Sequence, residues 1–145
     1  MPAVDAYVAI AEALRAALLT VEGLPPEGRR EWHNRTFQLP DPPAEWVRYI
    51  FDPGRPEVAS LGNTPTMRAE GIFLVDWFFP RGGGLNQALI AGGRVLDVFS
   101  PRVVCTANGQ AVTIRRSYIS RPIPDGAWLH VPITVEWRAD YESPT

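Results

Sequence analysis

Apolar side chains near the N-terminus recur at the three- and four-residue spacing of an α-helix. The pattern spans residues 2–22, where Pro2 suits a first helical turn and Gly23 suits the position after the last one. Its charged residues form one narrow stripe, and most of the remaining surface is alanine and larger apolar residues. The sequence therefore predicts a helix buried on more than one side, with a neighbouring subunit as a candidate cover for the second side.

Two β-strands are predicted next from alternating side chains. Residues 46–52 alternate cleanly, and Pro53 and Gly54 are expected to end that strand and to open an exposed loop over residues 53–66. Residues 67–79 follow, with Phe73 and Trp77 on one face and with a second face that is also largely apolar. This second strand is therefore expected to be central and covered on both sides.

A second helix is predicted over residues 85–99. Its apolar stripe consists of Leu85, Leu89, Leu96 and Phe99, and two adjacent glycines at 92–93 lie on or beside that stripe. Each interior glycine costs a helix about 1 kcal/mol relative to alanine. Small residues at these positions would let the helix lie close on the sheet.

The C-terminal half predicts three further strands. Residues 103–107 and 111–119 flank an Asn-Gly dipeptide at 108–109, which is a strong β-hairpin signal. Residues 127–138 alternate again, and Pro132 within them indicates a sheet edge or a bulge. Short edge strands are also possible at residues 31–32 and 35–38.

These elements predict an α+β fold in one domain over residues 1–145. Its antiparallel or mixed sheet would have about four to six strands packed by two helices, in the order α-β-β-α-β-β-β. Fifteen prolines and twelve glycines agree with many short elements and exclude a helical bundle.

Charge and composition narrow the function classes. A net charge of −2 argues against a dedicated nucleic-acid binder, and no segment is apolar and long enough to span a membrane. The N-terminus lacks the basic region of a signal peptide, so we expect a protein that is soluble and intracellular when made. All fourteen basic residues are arginine, which base composition alone can produce but which is also favoured where protein surfaces meet.

Residues with catalytic or metal-binding chemistry are few. His33, His130 and the lone Cys105 lack the spacing of a zinc site, and Cys105 is expected to be a buried small hydrophobe, so no metal or cofactor is predicted. Asp76 and Glu136 would form an acid–base couple only if their strands pair in a suitable register. Solvated or interface-paired carboxylates are the preferred interpretation, because most charged strand residues serve solubility and pairing.

Two kinds of side chain point instead to contacts with other proteins. Trp46 and Trp128 fall on the less buried face of their strands, which is typical of a protein interface. Arg115 and Arg116 are adjacent in a strand, so the alternation predicts one guanidinium on each face of the sheet.

Several strings together are similar to the tail terminator-like proteins of siphophages and gene transfer agents, and the resemblance covers most of the chain. These strings are Gly23-Leu24-Pro25 after the alanine-rich helix, residues 47–51 with the later Ser60-Leu61-Gly62, residues 68–80, and residues 128–140.

The resemblance implies a structural protein without enzymatic activity. It implies a homohexameric ring that caps the head-proximal end of the tail tube in the virion, stops tube polymerisation and offers a surface to head-completion (stopper) proteins. Its partners would be other copies of itself, the tail tube protein and the stopper, with DNA passing through the lumen without specific binding. It would assemble in the host cytoplasm without a membrane. Two alternatives stay open: a neck or head–tail adaptor, and a small α+β enzyme using Asp76 or Glu136 with a histidine.

Candidate interface residues follow from loop position, charge and exposed aromatic character. They are Arg55, Glu57, Leu61 and Arg68 in the predicted loop region, together with Arg115, Arg116, Trp46 and Trp128.

Overall fold

The computed structural model describes residues 2–32 and 35–143, so His33 lies outside the described residues. Within them the chain forms two α-helices, seven β-strands and one turn of 3₁₀ helix at Glu27–Arg29. The elements in chain order are α1 (Ala3–Leu18), β1 (Arg30–Trp32), β2 (Trp46–Val58), β3 (Thr66–Pro80), α2 (Asn86–Val98), β4 (Val104–Ala107), β5 (Gln110–Ile119), β6 (Ile123–Asp125) and β7 (Trp128–Glu142).

The strands form one mixed sheet in the order β1-β2-β3-β7-β5-β4, with β6 paired to β7. Only the β1–β2 pairing is parallel. The longest pairing joins β3 and β7 in unbroken register from Thr66 opposite Glu142 to Pro80 opposite Trp128. The predicted α+β fold class and element order are confirmed, with β6 as a minor extra strand.

Pro132 lies in the central strand β7, so its expected place at a sheet edge is wrong. Its carbonyl accepts a hydrogen bond from the Ser120 N–H at 2.8 Å, just beyond the end of β5. The N and C=O of one strand residue point to the same side. The ring nitrogen of Pro132 therefore faces the gap between the end of β5 and the start of β6. The N–H group that proline lacks is not required for an inter-strand hydrogen bond at this position.

Side-chain alternation places the core on one face of the sheet, here called the inner face. The predicted inward set on β3, which includes Phe73 and Trp77, is fully buried, and so is Trp137 of β7. Both helices contact this face through β5 and β7, and α1 also contacts β4. The face of the sheet opposite the helices is called the outer face.

Helix α1 buries one side and leaves the other open. It ends at Leu18, four residues before the predicted limit. Thr20 lies in the turn that follows, where its hydroxyl donates a hydrogen bond to the Ala17 carbonyl at 2.6 Å. Val4 is 75% exposed and Val8 is 62% exposed on the side away from the sheet. Within one subunit, the second side of this apolar helix therefore has no cover.

Helix α2 lies where it was predicted but presents a different face. Its buried residues include Ala88 and Gly92. Of the predicted apolar stripe, Leu85 and Leu89 are exposed and were wrongly expected inside, whereas Phe99 is buried and Leu96 packs against the core. A Cβ on Gly92 would lie 2.6 Å from Cδ1 of Ile119 in β5. Small residues therefore let α2 approach the sheet closely, as predicted, and the approach itself leaves no room for leucine there.

Strand β2 continues six residues past its predicted end. A bulge between Asp52 and Arg55 absorbs the Pro-Gly pair, with Gly54 at φ +67° and its N–H donated to the Asp52 carboxylate at 2.9 Å. The β1 partner stops opposite Tyr49, so this half of β2 is a sheet edge where proline is tolerated. The predicted loop over 53–66 therefore shrinks to residues 59–65.

Three shorter predictions had different outcomes. The Asn-Gly hairpin is confirmed, with Asn108 at φ +50° and Gly109 at φ +80° as a type I′ turn requires. The edge strand at residues 31–32 is confirmed as part of β1. Residues 35–38 form no strand; instead Phe37 packs on Trp46, with ring centroids 5.0 Å apart.

Candidate assembly surface

Most of the predicted interface residues lie on the outer face of the sheet, because register rather than loop position brings them together. Near the β2–β3 hairpin this face carries a group of charged side chains of both signs, here called the ionic patch. Its members are Arg55, Glu57, Arg68, Glu70, Arg115, Arg116, Glu136, Arg138 and Asp140.

The best-defined pair of the ionic patch joins β3 to β7. Arg68 donates two hydrogen bonds to Asp140, at 2.9 and 3.2 Å, between residues that face each other in the register. The hydrogen bond from Arg68 lowers the pKa of the Asp140 carboxyl, and the same bond raises the pKa of Arg68. Both side chains are largely open to water, so the pair fixes side-chain direction more than it stabilises the fold.

Arg115 and Arg116 lie on the same face, so the prediction of one on each face is wrong. The register passes from Ile114 opposite Trp137 to Arg116 opposite Glu136, which leaves Arg115 as the extra residue of a bulge. Arg116 is paired with Glu136. Arg115 donates to Glu70 at 3.2 Å, so both guanidiniums belong to the ionic patch.

The remaining candidates of the predicted loop region separate. Arg55 and Glu57 lie on β2 opposite Glu70 and Arg68, and the described residues give neither of them an ion-pair partner within 4.0 Å. Leu61 stands apart at the tip of the hairpin and is 100% exposed. The structure therefore brings five of the eight candidates together and leaves Leu61 as an isolated apolar tip.

The two tryptophans lie at the opposite end of the outer face. Trp46 is only 5% exposed, so its expected exposure is wrong. Phe78 stacks on it with ring centroids 4.0 Å apart, and Trp128 meets it edge-on at 6.1 Å. Trp128 is half-buried, as a residue at the rim of such a cluster would be. These aromatic rings form a second small core on the outer face.

Asp76 is the most buried carboxylate of the described residues, at 7% exposure. It lies between Arg48 Nη2, at 3.3 Å, and His130 Nε2, at 2.9 Å, although the ring N–H of His130 is poorly aimed at it. Sequence reasoning missed Arg48, whose only signal was its register opposite Asp76. Asp76 faces Pro132 whereas Glu136 faces Ile72, so the hypothesised acid–base couple does not form.

Other reactive groups are scattered. Cys105 is buried as expected, and burial raises the pKa of its thiol, which lowers the fraction of reactive thiolate. Across residues 2–32 and 35–143, no three His, Cys, Asp or Glu side chains come together in a way that could hold a metal ion. In the same ranges, no helix has the length and apolarity needed to cross a membrane.

A small α+β subunit whose most developed surface is a sheet face of paired charges is typical of proteins that act by assembly. The family comparison says which kind: the model described as "Phage tail terminator protein" matches residues 9–137, and the chain belongs to this family. It is a structural component of the phage tail.

Structural comparison agrees on the fold. One solved structure superposes with a TM-score of 0.65 at 21% identity, and the alignment covers 93% of this chain and 98% of that chain. At this identity the match shows a shared fold and nothing finer. No curated protein matches the sequence.

Proposed function

We propose that this chain forms a homohexameric ring on the head-proximal end of the tail tube. The ring ends tube polymerisation and presents a surface to the head-completion protein. The subunits are made and assembled in the host cytoplasm. Family membership supports the tail role, and the distribution of apolar surface supports assembly.

Uncovered apolar side chains on both helices carry the proposal. Val4 and Val8 on α1 are exposed, and so are Leu85, Leu89 and Ile90 around α2. Soluble monomers rarely expose large contiguous apolar patches, and such patches usually mark contact sites. Different patches, rather than one self-complementary patch, favour head-to-tail contacts, which form a ring when the rotation between copies closes.

The ionic patch is compatible with passage of DNA. A dedicated DNA-binding face would offer unpaired arginines to phosphates. Here Arg68 is bonded to both oxygens of Asp140, and the whole chain carries a net charge of −2. A lumen lined by this protein would therefore hold phosphates weakly.

The test combines mass with tube length. The purified protein is measured by light scattering coupled to size exclusion, and is then added to polymerising tail tube protein, with tube lengths counted by negative-stain microscopy. We expect a hexamer and shortened, capped tubes. Leu61→Asp should weaken capping if the hairpin tip contacts a partner, whereas Arg35→Glu, an exposed charge outside the candidate set, serves as the matched control. A protein that stays monomeric and leaves tube length unchanged would count against the proposal.

The adaptor alternative predicts a different particle defect. Particles that lack a terminator should carry overlong tails, whereas particles that lack a neck adaptor should accumulate as filled heads without tails. Microscopy of particles assembled without this protein therefore separates the two roles.

A further inference from the structure

The outward side of α1 combines apolar and acidic side chains. Val4 and Val8 stand one helical turn apart, and Asp5 and Glu12 lie on the same exposed side. Asp5 has no ion-pair partner among the described residues, and Glu12 has only a loose contact of 3.9 Å with Arg15. These four residues, Val4, Asp5, Val8 and Glu12, are called the α1 patch.

A matching combination lies on the opposite side of the subunit. The middle of the outer face forms a shallow depression of about 410 Å³, with a floor that includes Ile72, Leu74 and Tyr118. Arg115, Glu70 and Glu136 line the same depression, and the guanidinium of Arg116 lies over the Tyr118 ring at 5.7 Å. An apolar floor beside charged side chains is typical of a protein interface. This area is called the sheet depression.

Arg115 and Arg116 at the sheet depression keep N–H donors that are not used in their own ion pairs. Arg115 uses only Nη1 toward Glu70, and Arg116 uses only Nε toward Glu136. A guanidinium has five N–H donors, and both side chains are largely exposed, so further carboxylates can bind to each.

The charges on the exposed faces of the two helices favour α1 over α2 as the helix that packs into the sheet depression. The exposed face of α2 that holds Leu89 and Ile90 carries both Arg94 and Asp97, so it has no net charge to set against the arginines of the sheet depression. The α1 patch brings two carboxylates instead. Opposite charges at an interface favour the correct partner, and like charges disfavour the wrong one.

We propose that the α1 patch of one copy packs into the sheet depression of the next copy. Val4 and Val8 then cover the apolar floor, while Asp5 and Glu12 lie against Arg115 and Arg116. The inference rests on the proposed ring and assigns its two contacting faces. Because those faces lie on opposite sides of the subunit, each copy uses both of them, as a closed head-to-tail ring requires.

Charge reversal tests this pairing. The helix variant carries Asp5→Arg and Glu12→Arg, and the sheet variant carries Arg115→Glu and Arg116→Glu. Each variant alone brings like charges together at every interface, so we expect each to run as a monomer. Mixed in equal amounts, they restore attraction at every interface when they alternate around an even-numbered ring. The mixture should therefore recover the wild-type mass with the two variants in a 1:1 ratio.

Three controls make the outcomes decisive. Thermal unfolding checks that each variant folds, and Arg35→Glu should assemble like the wild type. If the reversals prevent folding, the milder Asp5→Asn with Glu12→Gln should raise the concentration at which the ring dissociates by about tenfold, the effect of losing two exposed ion pairs.

The possible failures are distinguishable. Folded reversal variants that assemble alone as well as the wild type overturn the face assignment, as does a mixture of folded variants that fails to recover the wild-type mass. A wild-type protein that is monomeric overturns the ring itself and with it this inference.

Discussion

Replacing Gly92 by alanine probes how closely α2 lies on the sheet. In a helix interior the change from glycine to alanine alone stabilises by about 1 kcal/mol. At Gly92, however, the new methyl group would lie 2.6 Å from Cδ1 and 3.0 Å from Cγ1 of Ile119. Forcing such a group into a packed site costs about 1–3 kcal/mol. We therefore expect Gly92→Ala to leave the free energy of unfolding unchanged or to lower it by up to about 2 kcal/mol.

Gly93 is the matched control because a Cβ there would meet no atom within 4 Å. Only the helix-propensity gain remains, so Gly93→Ala should raise the free energy of unfolding by about 1 kcal/mol. Urea unfolding followed by tryptophan fluorescence at one fixed protein concentration measures both variants. With a slope of about 1–3 kcal/mol per molar urea, the Gly93→Ala midpoint should rise by about 0.3–1 M.

A third variant separates packing from propensity. Ile119→Val removes Cδ1, so in its background Gly92→Ala should be less harmful than in the wild type. If Gly92→Ala stabilises the wild-type protein as much as Gly93→Ala does, the close approach of α2 to β5 is refuted.

Three further predictions concern single positions. Gly71→Ala would drive a methyl group into the backbone carbonyl of Asp52, so we expect a loss of about 2–3 kcal/mol in the same urea assay. Because the folded-state pKa of Asp140 is lowered by Arg68, the stabilisation from this pair is complete above the unfolded-state pKa and is lost as pH falls through the folded-state pKa. The carboxyl resonance of Asp140 should accordingly titrate at higher pH in Arg68→Gln than in the wild type. The Cys105 thiol should react with a chromogenic disulfide reagent slowly in buffer and rapidly in urea, because burial raises its pKa and shields it.

Alternation along the strands was enough to predict the core face of the sheet. Phe73 and Trp77 are buried as predicted because period-two alternation reflects strand geometry directly. The limits of β2 could not be predicted in the same way. Pro53 and Gly54 usually end a strand, and here they are tolerated only because β1 stops opposite Tyr49, a fact of tertiary structure.

The facing of α2 could not be predicted for a related reason. Hydrophobicity alone favours Leu85 and Leu89 on the inside, whereas the buried residues of α2 are the smaller Ala88, Ala91, Gly92 and Val95. The spacing between helix and sheet is set by β5 and β7, which lie later in the chain. A hydrophobic pattern indicates which residues are buried, but it does not indicate how much space the sheet leaves for the side chains of the helix.

Five of the nine residues of the ionic patch could be named from the sequence, but their pairings could not. Charge identified Arg68 and Arg115 as candidates, but their partners Asp140 and Glu70 lie far along the chain. Only the β3–β7 register and the bulge in β5 bring them together. The same bulge places the side chain of Arg116 on the face where Arg115 lies. Alternation along the strand does not predict the bulge.

The central position of β7 governs when the subunit can fold. This strand separates β3 from β5 in the sheet, yet it follows both of them in the chain. Helix α1, which precedes every strand in the chain, packs on β4, β5 and β7, and an isolated helix of 16 residues is only marginally stable in water. During synthesis α1 therefore has no partner until β4, β5 and β7, which follow it in the chain, have left the ribosome. Folding dominated by such distant contacts is slow.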